Sequence, residues 1–246
     1  MSSDLLQGET RGYGPNVRPK DAATLIIVDA AHGEARMLFG KRRMDQKFMP
    51  GKYVFPGGRL DPEDGKLPVV DDFAPVELKK LLREMRGGAS ERRARALALA
   101  AVRETFEESG LLVGAKGELP EGKSLSKWSA FLSHGVVPQL APMTLLARAI
   151  TPPGRPRRFD TRFFCVAASA IIGKVEARDG EFDELHWLTF EETKAFDLPN
   201  ITRAILGDLQ DRLKIGQLEP SATPFPFYYM KNGTFRRDMV APDEAA

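Results

Sequence analysis

The chain has 246 residues, and 36 Lys and Arg against 34 Asp and Glu leave a net charge of only +2. That balance argues against nucleic acid or an anionic membrane as the main partner. The absence of any apolar run of about 18 residues argues against a membrane span. Cys165 is the only cysteine, which excludes an intrachain disulfide. It lies in Phe163-Phe164-Cys165-Val166-Ala167, where a buried, inert thiol is expected. There is no signal-peptide core, and Asp243-Glu244-Ala245-Ala246 is not a peroxisomal address, so a cytoplasmic location is expected.

Residues 1–17 are Gly-rich and polar and are expected to be loose. Thr24–Asp29 and Met37–Lys41 read as paired strands, and Tyr53-Val54-Phe55 as a short strand entering a glycine loop. Pro75 opens a helix to about Met85, closed by Gly87-Gly88. Ser90 is the expected N-cap of a second, long helix whose inward positions include Leu97, Ala101 and Phe106, with Gly110 as its stop. A helix is expected over Ser124–His134 around Trp128 and Leu132.

Thr161–Ala167 reads as a strand buried on both faces, and His186-Trp187-Leu188 as another. Thr189 and Glu192 form a capping-box pattern for a helix over Phe190–Phe196, and Ile201–Ile215 is an amphipathic helix ending at Gly216. The aromatic, proline-containing tail Pro224–Arg237 is expected to cover a sheet edge or a cleft. One α/β/α sandwich with a mixed central sheet accounts for this order. Its expected bounds are 18–238, with residues 65–100 as a helical insertion and 239–246 as a tail.

Chemistry concentrates in Arg103-Glu104-Thr105-Phe106-Glu107-Glu108-Ser109-Gly110-Leu111. Glu104, Glu107 and Glu108 are spaced i, i+3 and i+4 and project from one helical face. Such like-charge pairs cost about 0.2–0.5 kcal/mol each on an isolated helix. Acids in the last turns also oppose the helix dipole, which favours Lys or Arg there. A solvated acidic face is the plainer reading of such a cluster; a hard divalent cation would reverse both penalties. Upstream, Phe55-Pro56-Gly57-Gly58-Arg59-Leu60 ends a strand in two glycines that allow close backbone approach.

Together these segments resemble the Nudix box, G-x5-E-x7-R-E-U-x-E-E-x-G-U, in which U is aliphatic. Gly58 matches its opening glycine, and Arg103, Glu104, Glu107, Glu108, Gly110 and Leu111 match its second half. Asp64 stands where the family has Glu, and Thr105 takes an aliphatic position. Residues 65–102 lengthen the spacer, which reads as an insertion inside the box. Arg18–Thr24, Met49–Gly58 and Arg157–Phe164 resemble the coenzyme A diphosphatase-like branch with a split box. Arg42 and Gly51 fit a related coenzyme A signature, whereas Lys47 replaces an arginine of that signature and Arg43 its serine or alanine.

The resemblance implies a divalent-metal-dependent hydrolase that cleaves the diphosphate of a small nucleoside diphosphate derivative. Coenzyme A or acyl-coenzyme A leads; ADP-ribose or NADH-type compounds and a non-catalytic ligand-sensing module are the alternatives. It further implies that Glu104, Glu107, Glu108 and the Gly57 carbonyl hold Mg2+ or Mn2+, and that Arg103 orients a glutamate. The general base varies across the superfamily; Glu184 and Glu181, in an acidic turn before His186-Trp187-Leu188, are weighed for it, with Glu184 retained. For substrate binding, Arg42, Lys47 and Arg158 are selected from the basic groups Arg42, Arg43, Lys47, Arg155, Arg157, Arg158 and Arg162. Phe159, Tyr228 and Tyr229 are candidates to stack on a base. His32, His134 and His186 lack metal-ligand spacing and are expected to be structural. A homodimer is left open.

Overall fold

Alternation along the first strand sets the layers. In β1 (Lys20–Asp29), Ala23, Leu25 and Ile27 join one core and Ile26 and Val28 another, as the two-residue period of a strand requires. The structure is a computed structural model and describes residues 6, 11–31, 33–46, 49–119, 125–177, 180–216 and 218–242. After β1 come β2 (Arg36–Arg42), β3 (Tyr53–Val54), β4 (Gly57–Arg59), α1 (Pro75–Leu82) and α2 (Glu91–Ser109). Four short elements follow: β5 (Leu111–Val113), β6 (Ala115–Lys116), the single turn α3 (Ser129–Leu132) and β7 (Val136–Val137). Then come β8 (Thr144–Ile150), β9 (Phe159–Ala167), β10 (Ile171–Lys174), β11 (Phe182–Thr189), α4 (Asn200–Lys214), β12 (Phe225–Lys231) and β13 (Thr234–Val240).

The main sheet runs β11-β2-β1-β9-β8-β12-β13, with β3 attached to β2 and β4 to β1. It is mixed: β1 is parallel to β9 and β12 to β8, while the other pairings are antiparallel. Residues of α1 and α2, among them Leu81, Leu97 and Ala101, fill the core on one face. Residues of α4, among them Ala204, Ile205 and Leu209, fill the other. This is the α/β/α sandwich expected from the sequence. Among the described residues no helix is long and apolar enough to cross a membrane.

The long helix α2 forms where the local signals put it. The Ser90 hydroxyl caps its start by accepting from the Arg93 amide at 3.3 Å, and Gly110 ends it at φ 72°. A Cβ on Gly110 would also lie 2.0 Å from the Val175 carbonyl oxygen, so glycine is required there for space as well as for conformation.

Elsewhere the elements depart from expectation. Of the helix expected over 124–134, only Ser129–Leu132 is helical, after a turn at 126–128, and Ser124 lies outside the described residues. The Thr189 capping box forms in full: the Thr189 amide donates to the Glu192 carboxylate at 2.8 Å and the Glu192 amide to the Thr189 hydroxyl at 3.2 Å. Yet it opens only a 3-10 turn over Glu192–Ala195, after which Phe196 is already extended at φ −99° and ψ 150°. The tail is a hairpin, β12–β13, turned at Asn232-Gly233 with positive φ at both residues. This is the dipeptide and backbone that a two-residue type I′ turn demands. β8 was not foreseen, because Arg148 interrupts its apolar run; burial of that side chain depends on Asp160 of β9, which takes both teeth of the fork at 2.8 and 2.7 Å.

Candidate active site

The last two turns of α2 lie beneath β4, and the two glycines of that strand bring backbone against carboxylate. A Cβ on Gly58 would stand 2.3 Å from the carboxyl carbon of Glu104. The Gly57 amide donates to Glu108 Oε2 at 2.9 Å. Gly57 has no room for a side chain either, since its Cβ would meet the Ala23 oxygen at 2.5 Å and Thr24 Cα at 2.7 Å. The glycine loop and the acidic helix therefore form one unit.

Arg103 organises that unit. Its Nε and Nη2 donate to Asp64 Oδ1 and Oδ2 at 2.8 and 3.1 Å, and Nη2 also donates to the Arg59 carbonyl at 3.0 Å. Its Nη1 lies 2.9 Å from both Glu104 Oε1 and Glu107 Oε2. Asp64 is fully buried and also accepts from Trp128 Nε1 at 3.1 Å and from the Asp61 amide at 2.8 Å. Asp64 thus fixes the arginine fork, and Trp128 is a supporting residue that the sequence did not mark. The only signal was an apolar indole whose N–H needs an acceptor when buried.

The electrostatics are those of carboxylates short of positive charge. Burial pushes the Glu104 carboxyl up to about 7, against the pull of Arg103 and with the help of Glu107. Glu108 is driven well above the usual carboxylate range by burial and by the charge of Glu181, with the Gly57 amide opposing. Arg103 is held above its ordinary value: burial opposes this, and the bond to Asp64 with the charges of Glu104 and Glu107 outweighs it.

Glu104, Glu107, Glu108 and Glu181 offer only oxygen donors, the chemistry that Mg2+ or Mn2+ takes. Among the described residues, no three His, Cys, Asp or Glu side chains stand in an arrangement that could hold a metal ion as they are. Arg103 engages Glu104 and Glu107 with one nitrogen, so an ion would compete with it for both. The donor set and the glycine cradle around Glu104 and Glu108 fit such an ion.

The other expected site residues divide. Arg42, at the end of β2, is ion-paired to Glu181, and its carbonyl accepts from the Gly51 amide at 3.1 Å. The charge of Glu181 contributes to the raised Glu108 carboxyl, and the charge of Arg42 opposes it. Glu184 is exposed and meets His186 Nε2 at 2.8 Å. Lys47 lies outside the described residues, as does His32. Arg43 pairs with Asp45. Arg162 is buried, 2.9 Å from Asp160 and 3.4 Å from Asp21, a structural ion pair. Tyr228 is buried with its hydroxyl on Asp208 at 2.6 Å, which removes it as a stacking surface. Cys165 is buried and its thiol is pushed up to about 12 by burial, as an inert cysteine should be.

Arg158 stands apart from the carboxylates. Its Nε donates to the Thr151 carbonyl at 3.0 Å, and its Nη1 to Asn16 Oδ1 and the Val17 carbonyl at 2.8 Å each. It lines a cavity of about 490 Å³ together with Arg18, Lys20, Arg59, Arg157 and Phe159.

The arrangement as a whole is that of an α/β/α sandwich with a glycine loop set against an acidic helix. No protein-family model matches the chain. A crystal structure of a NUDIX hydrolase from Alicyclobacillus acidocaldarius is similar at 26% identity and a TM-score of 0.62, covering 83% of this chain and 99% of that one. A Caenorhabditis elegans protein named "Putative nudix hydrolase 7" is 28% identical over 185 residues, 70% of this chain and 52% of that protein. The chain thus spans about half the length of that curated relative. In fold and in sequence, the chain is thus similar to proteins named as Nudix hydrolases.

Proposed function

We propose that this chain is a divalent-metal-dependent Nudix diphosphatase. It hydrolyses the diphosphate of a nucleoside diphosphate joined to another moiety and releases two phosphorylated products. The observation that carries this reading is the glycine cradle: Gly58 against the Glu104 carboxyl and the Gly57 amide on Glu108 at 2.9 Å. Glu104, Glu107, Glu108 and the Gly57 carbonyl would hold Mg2+ or Mn2+. Such an ion, when bound, neutralises phosphate charge and lowers the pKa of a water ligand.

The protein's own groups divide the remaining work. Asp64 fixes the Arg103 fork, and Arg103 in turn orients Glu104 and Glu107. Of the two acids weighed as general base, Glu181 has the stronger support. It is paired to Arg42 and its charge is felt at Glu108, whereas Glu184 is exposed with its carboxylate on His186. Coenzyme A or acyl-coenzyme A is the leading substrate, on the resemblance carried by Arg42 and Gly51 and on the basic cavity beside β4. The spacer at 65–102 is read as an insertion inside the box, and a cytoplasmic enzyme is the matching location. Retention of all three box glutamates speaks against a sensor that has lost its chemistry.

A panel assay tests the reading: coenzyme A, acetyl-coenzyme A, NADH and ADP-ribose, each with Mg2+, Mn2+ or chelator, and with products resolved by chromatography. Turnover of at least one compound, abolished by chelator and by Glu107→Gln, is expected. Tight binding without turnover of any compound would replace this reading with the sensor.

A further inference from the structure

Among the described residues, five cations and no acid line the cavity beside β4. Arg18, Lys20, Arg59 and Arg157 are exposed, and none is ion-paired to a described residue. The nearby carboxylates are already engaged: Asp21 by Arg93 at 2.7 Å, and Asp160 by Arg148 and Arg162. Positive charge is therefore gathered here with no balancing group among the described residues, and an anion from outside is the natural counterpart.

The wall that carries these groups is built. The Gly12 amide donates to the Pro153 carbonyl at 2.9 Å and the Gly14 amide to the Gly154 carbonyl at 2.8 Å. Gly12 and Gly154 are apposed so closely that a Cβ on Gly154, at φ 76°, would fall 1.9 Å from the Gly12 oxygen. The Lys20 amide then donates to the Arg158 carbonyl at 2.9 Å, while the Arg158 side chain ties down Asn16 and Val17. The segment before β1 and the loop before β9 are thus locked together, and they present Arg18, Lys20 and Arg157 on one side.

Arg59 joins this cavity to the carboxylate unit. It lies two residues beyond Gly57 on β4, a rise of about 7 Å, and its carbonyl accepts from Arg103. One ligand can therefore reach both regions, whose charges are opposite. The acidic end suits a diphosphate that arrives with its metal. The basic end suits a group with negative charge and no metal, and a phosphomonoester brings about −1.5 to −2 at neutral pH. Arginine forks match its oxygens in pairs.

We propose that this cavity binds a phosphomonoester carried by the substrate at a position separate from the diphosphate that is cleaved. The inference rests on the diphosphatase reading for the word substrate, and it narrows that reading to compounds with a third phosphate. The group can come from a 3′- or a 2′-phosphorylated ribose, and matched pairs tell them apart.

The test compares coenzyme A with 3′-dephospho-coenzyme A, and NADPH with NADH, in wild type and in Arg18→Ala/Arg157→Ala. Both arginines are exposed and unpaired, so the double variant is expected to fold. In wild type, kcat/KM should favour the phosphorylated member of one pair by about tenfold or more, the scale of one charge-assisted contact. The double variant should shrink that ratio to below about threefold, chiefly through KM. No preference in either pair, or equal loss on both members, would overturn the proposal. Should neither pair turn over, calorimetry with adenosine 3′,5′-bisphosphate, adenosine 2′,5′-bisphosphate and AMP gives the answer without catalysis. Tighter binding of one bisphosphate, lost in the double variant, supports the subsite; equal affinities or no binding refute it.

Discussion

Asp64 and Arg103 stand 39 positions apart in the chain, yet the arginine fork closes on the carboxylate with two bonds of 2.8 and 3.1 Å. The same guanidinium holds Glu104 and Glu107, and Trp128 donates to Asp64 from a third segment. Whatever occupies residues 65–102, this pair sets the glycine loop in register with the acidic helix. The Arg103 fork is taken up by Asp64, Glu104, Glu107 and the Arg59 carbonyl.

The pair is buried on both sides, so removing one charge should be costly. Asp64→Asn is expected to destabilise the fold by about 1–3 kcal/mol, because Arg103 loses the charged acceptor on its Nε–Nη2 edge while Glu104 and Glu107 still balance its charge. Trp128→Phe removes one donor and keeps the ion pair, at about 1 kcal/mol. Urea unfolding of the two variants beside wild type measures both. Equal midpoints for Asp64→Asn and wild type would remove Asp64 from its organising place.

Asp160 should tie stability to pH. Burial raises its carboxyl, but the bond from Arg148 and the charges of Arg162 and Arg148 outweigh burial and hold it below the ordinary range. A depressed carboxyl stabilises fully above its unfolded value, about 3.9, and that contribution is lost as pH falls through the folded value. Asp160→Asn should therefore lose about 3–5 kcal/mol at pH 7. Its deficit against wild type should narrow below about pH 4. Unfolding midpoints across that range check the sign, and a deficit that grows in acid would contradict it.

The two glycines of β4 should separate fold from function. In Gly58→Ala the new methyl meets the far end of Glu104, a flexible side chain that can move away. Stability should change by less than about 1 kcal/mol while metal-dependent turnover falls tenfold or more. In Gly57→Ala the methyl meets backbone at Ala23 and Thr24, and about 1–3 kcal/mol of stability should go with it. Thermal melts paired with turnover distinguish the two outcomes.

What could be read in the sequence was what local chemistry decides. The Ser90 cap, the Gly110 stop and the one-sided spacing of Glu104, Glu107 and Glu108 all depend on residues within a few positions of one another. The Asn232-Gly233 turn is equally local, because that dipeptide alone favours the two-residue turn that joins β12 to β13. Arg148 hid β8, because a buried arginine makes sense only beside Asp160, which comes from another strand. Trp128 on Asp64 and the cations gathered around Arg59 have the same origin: segments distant in sequence meet only once the sheet has formed. The charge of Arg158 suggests a phosphate contact; its side chain also anchors residues 16–17, and it lines the cavity beside Arg18 and Arg157.

The claim that Glu104, Glu107 and Glu108 hold a divalent ion is tested most directly by Mn2+ binding, followed by electron paramagnetic resonance on wild type and Glu108→Gln. The glutamine keeps an oxygen for the Gly57 amide and removes the charge. The account predicts that wild type binds Mn2+, that Mg2+ displaces it, and that the variant weakens binding by at least about tenfold while remaining folded. Equal Mn2+ affinity in both proteins, or none in folded wild type, would contradict it.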